Sequence, residues 1–92
     1  MRARRQDANH QEIKRAFEAL GCSVLDLYAV GGGCPDLLIG RLGVNVLVEV
    51  KTEAGDYTPA QLEFNATWRG RRETVRNLSD VEAVVKSMRE KA

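Results

Sequence analysis

Ninety-two residues, with 14 Lys and Arg against 13 Asp and Glu, make one small domain of formal net charge +1. That length leaves no room for a second domain, and that balance excludes a globally basic nucleic-acid coat while permitting local basic patches. With 43% hydrophobic and 29% charged residues, the chain is globular rather than disordered, and no apolar run approaches the ~20 residues that span a bilayer. The basic N-terminus is not followed by the apolar stretch of a secretory signal, so a cytoplasmic protein is expected. Cys22 and Cys34 are too few for a disulfide framework or, even with His10, a four-ligand zinc site; structural thiols are expected. A chain of this size buries only roughly 60–65% of its unfolded surface, so a homodimer is the expected state.

In chain order, residues 1–8 read as a flexible basic arm. A first helix follows, with Asn9 as N-cap and Glu12 three residues on, where a capping-box partner belongs. Ile13, Phe17 and Leu20 form its apolar stripe, and Gly21 suits its C-terminal cap. Residues 22–30 read as a strand, broken by Gly31, Gly32 and Gly33. Two apolar runs, 36–41 and 46–51, flank a turn near Leu42 and Gly43 and predict a hairpin. Thr58, Pro59 and Gln61 spell a capping box with proline at the first helical position, so a second helix should run to about Arg69. Residues 73–78 read as a short strand, and Ser79 with Glu82 as the box that opens a last helix. The order α-β-β-β-α-β-α predicts an α/β domain, a small mixed sheet flanked by helices.

The chemistry concentrates in the hairpin. Strand side chains alternate, so Glu49 and Lys51 share one face while Val48 and Val50 take the other. A hairpin centred between Leu42 and Gly43 sets Asp36 opposite Glu49, at the ~4.5–5.5 Å of directly opposed residues. Two carboxylates so placed repel, and a hard cation between them removes the penalty; oxygen ligands with open water positions suit Mg²⁺ or Mn²⁺. The plain alternative is a solvated sheet face with a lateral ion pair.

Gly33-x-Pro35-Asp36-Leu37, then Val48-Glu49-Val50-Lys51, then Thr58-Pro59-Ala60-Gln61 resembles the virus-type replication-repair nuclease (VRR-NUC) domain of the PD-(D/E)xK nuclease superfamily. The resemblance runs from about Glu12 to Val85 and is to a stand-alone, phage-type member, which would place it in a bacterial host's cytoplasm. It implies that Asp36 and Glu49 are metal ligands, with the Val50 carbonyl a third, and that Lys51 orients the attacking water or stabilises phosphate charge. Gln61 would line the same site, and Glu12 would reach the metal through water; Glu12 is equally explained as a helix cap, while Gln61, also in a cap position, is favoured for function by its place in the motif. Such a constellation hydrolyses phosphodiesters with Mg²⁺ or Mn²⁺, and no organic cofactor is implied.

Arg69, Arg71, Arg72 and Arg76 form one basic cluster. Arg2, Arg4 and Arg5 on the arm, with Lys14 and Arg15 on the first helix, form another; both are candidate contacts to DNA phosphates. The triple glycine is not a Walker loop, because no Gly-Lys-Ser/Thr follows, and suits a sharp turn or a close approach to nucleic acid. His10 is expected to be solvated, and Phe64 and Trp68 to pack in the core. The expectation is a dimeric, structure-selective DNA endonuclease similar to Holliday junction resolvases. The alternatives are a nuclease for flaps, nicks or phage genome processing, and a non-catalytic DNA-binding module.

Overall fold

Local signals set the elements, and the computed structural model describes them over residues 9–89. They are α1 (His10–Ala19), β1 (Ser23–Asp26), β2 (Leu37–Arg41), β3 (Val44–Val50), α2 (Pro59–Thr67), β4 (Arg72–Val75) and α3 (Leu78–Ser87), in the expected order. The basic arm, with Arg2, Arg4 and Arg5, lies outside the described residues. No helix among the described residues is long and apolar enough to cross a membrane.

The sheet order is β1-β2-β3-β4. β1, β2 and β3 form an antiparallel meander, and β4 returns beside β3 in parallel after the α2 crossover. The β2–β3 hairpin closes through Leu42 and Gly43, both at positive φ (54° and 78°), the two-residue turn whose twist matches that of its strands. Its register is therefore the one read from the sequence, with Arg41 opposite Val44 and Leu37 opposite Val48.

Alternation divides the sheet into two faces. Leu37, Ile39, Val46, Val48, Val50 and Val75 meet Ile13 and Phe17 of α1 and Val81, Val84 and Val85 of α3 in the core. Each fully buried aliphatic side chain contributes roughly 1.5–3 kcal/mol. The opposite face carries Asp36, Glu49 and Lys51.

Several boundaries differ from expectation, each for a local reason. α1 ends in a Schellman motif, Cys22 N–H donating to Phe17 O and Gly21 N–H to Glu18 O (both 3.0 Å), but its start has no capping box. Asn9 makes no side-chain cap; its amide instead donates to Lys51 O (3.1 Å) and Arg76 O (3.2 Å). β1 stops at Asp26 because Asp26 Oδ1 accepts from Tyr28 N–H (3.0 Å) and turns the chain. α2 ends at Thr67, before Arg69, since Trp68 is already extended. α3 starts at Leu78 because Asn77, not Ser79, is its N-cap and accepts from Asp80 N–H (2.9 Å).

His10 is not solvated: it is buried, and its Nε2 lies 3.2 Å from Asp26 Oδ2. Burial works against ionisation of Asp26, but the Tyr28 N–H, His10 and Lys14 outweigh it and hold the carboxyl below its ordinary range. Phe64 and Trp68 are not core either. They stack on each other (centroids 5.2 Å apart), with Phe64 half-buried and Trp68 exposed. α2 buries only Gln61, so it leans on the body through its first turn.

Candidate active site

Asp36 stands one residue before β2, and the hairpin register extended by one step sets it opposite Glu49. Its Oδ2 accepts from Val50 N–H (2.9 Å), which fixes the carboxylate against the last residue of β3. One step further along the register, Pro35 stands opposite Val50 and has no N–H to give to the Val50 carbonyl. That oxygen therefore has no ladder donor from β2.

The capping box of α2 forms as read. Thr58 N–H donates to Gln61 Oε1 (2.9 Å) and Gln61 N–H to Thr58 Oγ1 (3.2 Å). The remaining end of the same amide, Nε2, donates to Glu49 Oε2 (2.9 Å). Capping and contact with the carboxylate are thus simultaneous, because an amide carries an acceptor and a donor on one group.

Gly33 makes this placement possible. Its φ is +83°, and a Cβ built there would lie 2.3 Å from Ala60 O. The close approach expected of the glycine run is to the first turn of α2, so any side chain at position 33 would push Gln61 away from Glu49.

Among the described residues the buried polar or charged side chains are His10, Asp36, Glu49, Lys51 and Gln61, and four of these five belong to this cluster. Its electrostatics are those of two acids too close to ionise together. Burial first, then the charge of Asp36 and a hydrogen bond with it, push Glu49 up to about 8; Lys51 and Arg72 pull the other way. Keeping one acid protonated and binding a cation are the two ways to relieve that repulsion. The donor set (two carboxylates and one carbonyl) is all hard oxygen, which fits a magnesium-type ion that keeps several waters. Among the described residues no group of three or more His, Cys, Asp or Glu is gathered.

A solved structure described as a VRR_NUC domain superposes on this chain with a TM-score of 0.69 at 32% identity, covering 85% of this chain and 90% of that one. The chain belongs to the VRR_NUC family. No family model matches the sequence, and no curated protein does. Membership in this family makes the chain a nuclease-type domain, built on a four-stranded mixed sheet flanked by helices.

Within this VRR_NUC domain the remaining candidates separate. Glu12 lies exposed on α1, a helix that packs on the sheet's core side, and it does not join Asp36 and Glu49 in a cluster of three acids. The arginines between positions 69 and 76 turn to different partners. Arg71 pairs with Glu73 (3.4 Å) and reaches Ser87 on α3. Arg76 donates to Thr52 O (2.8 Å) and Gly55 O (2.7 Å) and ties down the loop after β3. Arg69 is exposed beyond α2, and Arg72, opposite Leu47 in the β3–β4 register, shares the carboxylate face. Lys14 lies 3.8 Å from Asp26, and Arg15 is exposed.

The sequence reading missed Tyr57, whose ring lies 5.7 Å from Lys51 Nζ. A lone tyrosine in a loop carries no periodic signal. It also missed Asn9, which hydrogen-bonds the Lys51 backbone; its cap-like position hid that contact across the fold.

Proposed function

We propose that this VRR_NUC domain is a Mg²⁺- or Mn²⁺-dependent endonuclease that cleaves branched DNA as a homodimer, with four-way junctions as its substrate. The observation that carries the reading is the buried Asp36–Glu49 pair, with Lys51 beside it on the same face. A buried acid pair is destabilising by itself, so it is understandable as a site that is completed by a cation.

Asp36, Glu49 and the Val50 carbonyl would hold the ion. When bound, a divalent ion supplies Lewis-acid polarisation of the phosphate and a more acidic water. Val50 N–H fixes the orientation of Asp36, and Gln61 Nε2 does the same for Glu49, so both carboxylates are aimed before the ion arrives. Lys51, buried and locked by its backbone between Val75 O and the Asn9 amide, keeps a positive charge where the phosphate oxygens gain negative charge during hydrolysis. Exposed apolar side chains on and just after α2, Leu62 and Trp68, offer surface for a second copy, and two copies would bring two such sites to two strands.

The test is cleavage of labelled DNAs with Mg²⁺ or Mn²⁺. The panel holds a four-way junction, a 5′ flap, a 3′ flap, a nicked duplex and a linear duplex, with Lys51→Ala as control. Paired symmetric incisions in the junction, absent in the variant, are the expected result. Flap cleavage would keep the site and replace the substrate, while DNA binding without cleavage of any DNA would contradict the enzyme reading.

A further inference from the structure

Beside the acid pair, the same face carries contacts that holding a metal does not require. Thr74 stands opposite Glu49, and Arg72 opposite Leu47. The Thr74 hydroxyl is hydrogen-bonded to the Tyr57 hydroxyl and accepts from Arg72 Nη2 (3.0 Å). The Tyr57 ring lies 5.8 Å from the Arg72 guanidinium carbon and 5.7 Å from Lys51 Nζ, so one aromatic ring is within cation–π reach of two positive charges.

Among the described residues neither cation has an ion-pair partner, and Arg72 Nε meets no acceptor. Two cations gathered on one ring repel each other unless an anion lies near both. Glu49 shares this face and attracts both cations, but neither carboxylate lies within ion-pair distance of Lys51 or Arg72, so that need is met only in part. A phosphodiester would fill it, because its anionic oxygens match the planar fork of a guanidinium and the point charge of an ammonium.

We propose that Arg72 binds the phosphodiester backbone of the substrate beside the acid pair, and that Tyr57 is the positioning residue that holds Arg72 and Lys51 for it. This rests on the nuclease reading above. Lys51 serves the reacting phosphate, and Arg72, at the start of β4, extends the positive charge along the strand being cut. Thr74 links the two through its hydroxyl, so the tyrosine ring and the guanidinium keep a common orientation. Arg72 thereby differs from Arg71, paired with Glu73, and from Arg76, bound to loop carbonyls: its guanidinium donates to a neutral hydroxyl and keeps Nε without an acceptor.

The test compares the full chain with Arg72→Gln, Arg72→Lys, Tyr57→Leu and Tyr57→Phe. Three readouts are taken: cleavage of whichever DNA the wild type cuts best, DNA binding in chelator across a salt series, and Mn²⁺ uptake. Arg72→Gln should lower kcat/KM by about 10²–10³-fold, as loss of one charged donor does. It should also reduce the salt slope of binding by about one unit, with Mn²⁺ uptake retained. Arg72→Lys should restore part of both.

Tyr57→Leu should lower kcat by about 10–100-fold, the effect of a misplaced charge, with binding close to wild type. Tyr57→Phe keeps the ring but loses the hydroxyl bond to Thr74, and should fall between wild type and Tyr57→Leu. Full activity and an unchanged salt slope in Arg72→Gln would overturn the inference. So would loss of Mn²⁺ uptake together with cleavage, which is the mark of a structural role. Failure of the wild type to cut any DNA would instead remove the nuclease reading, and the salt slope alone would then decide whether Arg72 contacts phosphate.

Discussion

The two faces of β3 share one backbone and nearly the same burial, yet they do opposite things to stability. Val46, Val48 and Val50 are fully buried against α1 and α3, and their removal from water drives folding. Glu49 and Lys51, in alternate positions, are almost as inaccessible (2% and 7% exposed) but carry ionisable groups, and burial of a charge opposes folding. Period-two alternation thus builds an apolar core and a buried ionisable face from consecutive residues. The valine face supplies the stability that lets the other face keep two opposed carboxyls.

The largest effects should come from breaking the reactive face alone. Lys51→Ala and Glu49→Gln are expected to reduce cleavage by at least about 10³-fold, the scale of losing a principal electrostatic contribution. Above about pH 8, where Glu49 ionises, thermal melting of the metal-free Glu49→Gln variant should match or exceed wild type, because the neutral amide removes repulsion from Asp36 and keeps the side chain's size. A large fall in melting temperature would show that the pair is structural.

Gly33→Ala should harm both faces. Forcing a side chain into the left-handed region costs about 1–3 kcal/mol, and displacement of α2 should break the Gln61–Glu49 hydrogen bond. Denaturant unfolding and cleavage rates measured on the same preparation check both effects. Val48→Ala sharpens the contrast from the core side. It should cost about 1.5–3 kcal/mol while cleavage per folded molecule persists.

A smaller effect appears with pH. The folded-state value of Glu49 is raised from 4.5 to about 8, so the folded protein holds its proton more tightly than the unfolded chain. The corresponding stability is fully present below about pH 4.5 and is lost as pH rises through about 8. Melting in chelator should therefore fall across that window, and Glu49→Gln should flatten the slope.

Much of this contrast was legible in the sequence wherever local rules decide. The Leu42–Gly43 turn set the hairpin register and so the facing of Asp36 and Glu49, and Thr58 with Gln61 announced the start of α2. Contacts between residues distant in the chain were not legible. Asn9 has the composition of a cap but bridges carbonyls 42 and 67 positions away, and His10 is buried because Asp26, 16 residues on, receives it. The arginines at 69–76 look like one patch in the chain. Strand alternation then sends Arg71 and Arg72 to different neighbours, while Arg76 turns to the loop carbonyls. Phe64 and Trp68 have the spacing of a core stripe, but α2 meets the sheet only through its first turn and leaves them at the surface.

Whether the Asp36–Glu49 pair is a cation site is decided by calorimetric titration of Mn²⁺ into the metal-free protein at neutral pH. Saturable binding is predicted for the wild type, with release of up to about one proton as the ion displaces the one shared by the pair. Asp36→Asn and Glu49→Gln should each abolish it. Equal, unsaturable heats in all three proteins would contradict the account and leave the pair as an acidic cluster without a metal.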